Sequence, residues 1–146
     1  MSTDKTNDEG QIRRLLDDWA KEFRAKDLDG IMAIYAPDIL AFDAIAQLQF
    51  KGVDAYKKHR ETCLSFCQGP ITFEMRDLDV TAGDGVAFSH YLTRCGGTDE
   101  NGEEKASWMR ATVCLRKIDG KWKVVHEHYS APFDMESGKA MFDLQP

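Results

Sequence analysis

The stretch Trp122-Lys-Val-Val-His126-Glu-His128-Tyr-Ser130-Ala-Pro132 decides how this chain is read. It is rich in β-branched and aromatic residues, as strands are. It follows Asp119-Gly120, a pair that favours a two-residue hairpin turn because both positions take positive φ. Side chains alternate faces along a strand, which predicts that Trp122, Val124, His126, His128 and Ser130 share one face. An apolar wall ending in two imidazoles and a hydroxyl reads as the lining of a pocket.

The hairpin makes the segment from Ala106 to Lys117 the neighbour of this strand. There Trp108, Arg110, Thr112 and Cys114 share one face, and Met109, Ala111, Val113 and Leu115 the other. Arg110 and Thr112 beside His126 and His128 would form a compact polar cluster. A buried arginine needs a partner, and Asp43 or a ligand carboxylate is the expected one. Two faces this apolar cannot both meet water. One is expected to line a cavity and the other, the outer sheet face, to join a second copy in a homodimer.

Working outward, Ile71 to Thr81 and Val86 to Cys95 complete a four-strand antiparallel meander. Ahead of it, Ile12, Leu15, Leu16, Trp19, Ala20 and Phe23 follow helical spacing, with Thr6-x-x-Glu9 as a capping box. Asp27 caps a second, short helix that Pro37 ends. Ile39 to Ala44 reads as a short strand. Gly52 opens a third helix with Val53, Tyr56, Cys63, Leu64 and Cys67 inward, and Gly69-Pro70 closes it. Helices first and strands after predict an α+β fold, with three helices packed on a curved, mostly antiparallel sheet. The 146 residues suit a single domain spanning 1–146, in which 133–146 form a C-terminal tail over the body or a partner.

The net charge of −6 and the lack of any basic run argue against nucleic acid and anionic membranes as partners. No apolar run approaches the roughly 20 residues needed to span a bilayer. The polar, acidic start shows no secretion signal, so a cytoplasmic location is expected. Cys63, Cys67, Cys95 and Cys114 form no Cys-x-x-Cys pair and are expected to be reduced packing residues.

His126 is the first candidate for proton transfer, because imidazole titrates near neutrality. Asp43, in apolar Ala41-Phe-Asp-Ala44, is a candidate base or neutral donor. Arg110 would stabilise developing negative charge. Trp19, Tyr35, Phe42, His90, Trp108, Thr112 and His128 are the candidate ligand-binding residues. His-x-His can chelate zinc only with a third donor; His90, Asp43 or Glu127 could serve, though Glu127 points to the opposite face, and the spacing fixes none of them, so neither metal nor other cofactor is expected.

The passage Leu28-Asp-Gly-Ile-Met-Ala-Ile-Tyr35-Ala-Pro37-Asp38 and the ending from Asp119 to Ser130 resemble the nuclear transport factor 2-like superfamily. The branch they are most similar to is the SnoaL-like, ketosteroid isomerase-like small proteins of bacteria. The resemblance covers nearly the whole chain. It implies a cone-shaped α+β barrel, a homodimer joined through the outer sheet face, and a cavity between helices and sheet. Steroid isomerases of this fold use an Asp base and an oxyanion hole of Tyr and protonated Asp. Asp43 and Tyr35 are chemically similar, but they are not placed at matching positions. Other members are cyclases, dehydratases, hydrolases and association domains, so the fold alone names no reaction. Two functions remain open. One is an acid–base isomerase or lyase acting on a small hydrophobic carbonyl compound. The other is a non-catalytic module that binds a small hydrophobic or carboxylate-bearing molecule, or that serves association.

Overall fold

Ile12, Leu16, Trp19, Ala20 and Phe23 form the buried stripe of helix α1, Ser2–Arg24. The computed structural model describes the backbone of residues 2–146, and side chains from residue 6 onward. Thr6 lies inside α1, so it does not cap the helix, and Glu9 instead reaches the Ala82 amide. Asp27 does cap the short α2, Leu28–Met32, by accepting from the Gly30 amide. The chain then enters β1, Tyr35–Phe42. Pro37 therefore sits within a strand rather than at a helix end. It falls at an irregularity in the pairing, where its missing N–H costs least. After β2, Phe50–Lys51, Gly52 turns the chain at φ 90° into α3, Val53–Ser65.

The remaining strands are β3, Thr72–Ala82; β4, Val86–Thr98; β5, Glu104–Ile118; and β6, Lys121–Ser130. They form one sheet in the order β2-β1-β6-β5-β4-β3, antiparallel except where β1 runs parallel to β6. Asp119 and Gly120 take φ of 51° and 81°, the hairpin turn expected from their types. Three helices cover the inner face of this curved sheet. The core lies between, built from α1 and from inward residues such as Val80, Ala111, Val113, Leu115 and Val124.

One irregularity reorganises β6. Leu115 pairs with Val124 and Cys114 with His126, so Val125 is an extra residue, a β-bulge. Alternation restarts after it. Trp122 and Val124 are buried on the inner face, and beyond the bulge Glu127 and Tyr129 take over that face. His126, His128 and Ser130 pass to the outer one. The shared face expected for Trp122 through Ser130 is thus broken midway.

At the far end of β4 the strands approach so closely that a Cβ on Gly96 would lie 1.9 Å from the Lys105 carbonyl oxygen. The obstacle is backbone, which cannot step aside. Replacing Gly96 with Ala should lower stability by about 1–3 kcal/mol or more, as overpacking does. Chemical denaturation of the variant beside the wild type measures this, and equal midpoints would refute it.

Candidate functional site

Helix α3 sets out the site. Tyr56, His59, Arg60 and Cys63 stand at i, i+3, i+4 and i+7, so they share its sheet-facing side. Tyr56, His59 and Arg60 are buried there. Opposite them, the bulge has turned Glu127 inward, where it is 2% exposed.

Arg60 Nη2 donates to Glu127 Oε2 at 2.8 Å and to the Tyr56 hydroxyl at 2.7 Å. The Tyr35 hydroxyl donates to Glu127 Oε1 at 2.6 Å, and Tyr56 donates to Oε2 at 2.7 Å. The guanidinium also lies against aromatic faces, its carbon 4.8 Å from the Tyr56 ring and 5.5 Å from Phe23. Its Nε has no hydrogen-bond partner. Burial alone would lower the Arg60 pKa, but Tyr56, Tyr35 and Glu127 around it hold it well above its ordinary value. Deeper in the sheet the Tyr91 and Tyr129 hydroxyls meet at 3.0 Å. Burial raises the pKa of all four tyrosines of the chain, Tyr35, Tyr56, Tyr91 and Tyr129. Apart from the Arg60 Nε, the charged and phenolic groups of this network are paired with one another, so it braces the site.

A second cluster centres on His59, the residue beside Arg60. Phe42 faces outward at the end of β1, and the next residue, Asp43, faces inward to α3. Asp43 Oδ2 is 2.5 Å from His59 Nε2, and Oδ1 accepts from the Ala44 amide at 2.9 Å. Both side chains are over 90% buried, and the imidazole stacks on Phe50 at 4.1 Å. Cys63 Sγ lies 3.7 Å from Nε2 and 4.0 Å from Nδ1. Donor atoms of Asp43, His59 and Cys63 all fall within 4.8 Å of one another, a set that could hold a metal ion. The 2.5 Å contact is that of a hydrogen-bonded pair, shorter than the roughly 3 Å that separates two ligands around one cation.

Cys63 opens onto a cavity of about 400 Å³ between α3, β4, β5 and the tail. Its wall is mainly apolar, with Phe23, Leu64, Ile71, Met109 and Phe142 among its residues, and Ser107 supplies a hydroxyl. Cys67 and Cys95 also line it, and burial pushes the Cys95 thiol up to about 11. A wider but shallow depression of about 730 Å³ lies on the other side of Asp43, between the β1–β2 loop and His128. The smaller cavity is better enclosed and more apolar, the character of a ligand site.

Of the residues singled out in the sequence, Asp43 and Tyr35 enter this region. Tyr35 is bound up in the Glu127 network, and Asp43 stands at the corner. Arg110, Thr112, His126 and His128 do come together, since Thr112 pairs with His128 and Arg110 with Ser130. They do so on the outer face, because the bulge reverses β6 there. Arg110 Nε donates to Ser130 Oγ at 3.1 Å, so its partner within the chain is Ser130 and not Asp43. His126 Nδ1 lies 2.6 Å from the Leu40 carbonyl, and Phe42 packs edge-on against His126 and His128. His90 is exposed beside Asp79. Trp108 lies under the Arg76 guanidinium, and Trp19 is core, donating to the Ile31 carbonyl. His59, Arg60 and Glu127 were not singled out. Helical spacing from Tyr56 to Cys63 passes through His59 and Arg60, and that was the available signal.

Comparison with known proteins places this architecture. The SnoaL-like domain matches residues 12–134. An NTF2-like protein of unknown function from Pseudomonas putida KT2440 shares 50% identity, covering 97% of this chain and 98% of that one, with a TM-score of 0.90. A ketosteroid isomerase-like protein from Erwinia carotovora atroseptica has a TM-score of 0.70 at 17% identity, covering 84% of this chain and 94% of that one. The association domain of C. elegans CaMKII has a TM-score of 0.70 at 17% identity, covering 87% and 98%. The last two show the fold alone. No curated protein sequence matches the chain significantly.

The four buried phenols give the fold an alkaline limit. Their pKa values are higher folded than unfolded, so the folded chain holds these protons more tightly. That contribution is complete below about pH 10, the ordinary tyrosine value, and is lost as pH rises above it. Tyrosinate absorbance is expected to appear together with loss of the circular dichroism signal. Ionisation near pH 10 with the fold intact would contradict it.

Proposed function

The chain belongs to the SnoaL-like domain family, within the NTF2-like superfamily, and on that premise we propose that it binds a small, largely hydrophobic carbonyl compound and catalyses proton transfer on it. The reaction class is isomerisation, cyclisation or dehydration. The observation that carries this is the buried Asp43–His59 pair, which stands behind Cys63 in the wall of an apolar cavity, while Asp43 also lines the shallow depression on its other side. A carboxylate touching an imidazole is a proton-transfer unit, and apolar walls suit a hydrocarbon body. Asp43 and His59 take the proton, which gives to His59 the role first expected of His126. The outer placement of His126, His128 and Arg110 suits a subunit interface instead.

That interface is the second part of the proposal. The outer face leaves Phe88 and Val86 about half exposed beside the Arg110–His128 group. A second copy covering it would give the homodimer. Four unpaired cysteines suit a reducing compartment such as the cytoplasm, and no described helix is long and apolar enough to cross a membrane.

Exchange of the α-hydrogens of benzylacetone in deuterated water, followed by NMR, tests the chemistry. Wild type is expected to accelerate it, and Asp43→Asn to lose at least about 100-fold, the usual worth of a general base. No acceleration by wild type would defeat the catalytic reading. For the interface, light scattering should give a dimer that Phe88→Glu converts to a monomer. A wild-type monomer at micromolar concentration would defeat that part.

A further inference from the structure

We propose that the Arg60 Nε–H and the Thr93 hydroxyl together receive the carbonyl oxygen of the ligand at the inner end of the apolar cavity. This rests on the reading that the cavity takes a carbonyl compound, and it names the two groups that select for one.

Among the described residues, two buried side-chain polar atoms have no hydrogen-bond partner, Arg60 Nε and Thr93 Oγ1. Folded chains leave few such groups, because each gives up its hydration without return. Both stand behind the same cavity. The Arg60 guanidinium lies 5.5 Å from the ring of Phe23, a wall residue, and Cys63 and Leu64 of the wall follow one turn along α3. Thr93 faces inward from β4, between Tyr91 and Cys95 on the same face. Its cross-strand partner is Met109, and Met109 and Cys95 both belong to the wall. Burial raises the Tyr91 phenol and the Cys95 thiol, and at both the Arg60 charge opposes it. The residues on either side of Thr93 therefore feel the guanidinium. One orphaned group comes from the helix layer and the other from the sheet that faces it.

Nε–H is a donor and a hydroxyl can donate, so the pair suits an acceptor. A carbonyl oxygen has two lone pairs and can take both bonds. A carboxylate fits less well. Arg60 is already met by Glu127 at 2.8 Å, and Asp43 lies close by, so another buried anion would face two like charges. Both orphaned atoms are closed to solvent. The ligand oxygen reaches them as Met109 turns aside, which its unbranched side chain does at little cost. There the oxygen is held where charge develops. As the Asp43–His59 pair takes an α-proton, the C–H electrons become a C=C bond and the carbonyl π electrons pass to oxygen as an enolate. Both donors then meet a negative charge. Return of the proton to carbon restores the carbonyl, and nothing is oxidised or reduced.

The test titrates the full chain with benzylacetone and with butylbenzene, in which a methylene replaces the carbonyl. Each affinity is read from amide shifts in ¹⁵N NMR. Thr93→Val keeps the side-chain shape and removes an unpaired hydroxyl, so it should fold. It should weaken benzylacetone about 3- to 10-fold, the worth of one hydrogen bond, and leave butylbenzene unchanged. In the wild type, which depends on no variant, the Arg60 Nε–H signal should move downfield with the ketone and not with the hydrocarbon. An unchanged ketone affinity in Thr93→Val, equal weakening of both compounds, or an Nε–H signal that ignores the ketone would overturn the proposal. An ordered water serving both groups in place of the ligand would give that result. If both compounds bind with neither signature, the cavity reading stands and the donor pair falls. If neither binds, both fall. If the ketone binds with both signatures but its α-hydrogens do not exchange, the pair stands and the catalytic reading falls.

Discussion

A single buried ion pair, Arg60 with Glu127, holds the working parts of this molecule in register. It ties α3 to β6, and Tyr35 extends the tie to β1. Taking two charges out of water costs several kcal/mol each, and the cost is offset only by close geometry and further hydrogen bonds. Here the carboxylate is met by Arg60, Tyr35 and Tyr56, and the guanidinium by a set of ring faces. Removing one partner would strand the other charge, typically at about 3–5 kcal/mol. An apolar pair of the same size would hold helix to sheet as firmly, but it would tolerate sliding. A pair this directional does not. His59 lies next to Arg60 and Cys63 three residues beyond it, so fixing Arg60 fixes the angle at which α3 presents both.

The site is thus divided by chemistry. The network around Glu127, closed except at the Arg60 Nε, serves as a frame. The Asp43–His59–Cys63 corner lies nearer the cavity, and it is to this corner that the proposal gives the proton. Both arise from one helix face, through residues adjacent in sequence. Only the neighbouring strand decides which is frame and which is corner: Glu127 of β6 meets Arg60, and Asp43 at the end of β1 meets His59.

How legible this was in the sequence varies by element for physical reasons. The Asp119-Gly120 turn and the span of β6 were readable, because turn chemistry is local. So was the Asp27 cap. The bulge at Val125 was not. Val124 and Val125 are both apolar, so an inserted residue leaves no trace in the hydrophobic pattern, yet it reverses every side chain after it. That reversal moved His126 and His128 outward and brought Glu127 and Tyr129 inward. On α3, Tyr56 and Cys63 were read as inward, but the two residues between them on that face were passed over because they are polar. A charge reads as surface until its buried partner is known. Asp43 stood out for the opposite reason, a carboxylate among apolar neighbours with no turn to explain it.

The bulge acts on β6 as a frameshift acts on a message. Upstream of Val125 the strand is read by the core in one frame, and downstream in the other. Deleting that one residue would heal the ladder and keep this frame, because Cys114–His126 would then follow Leu115–Val124 directly. Drawing Val125 into a regular ladder, with nothing deleted, would instead exchange the two surfaces of the second half, sending Glu127 to the outer face and two imidazoles into the place where Arg60 waits.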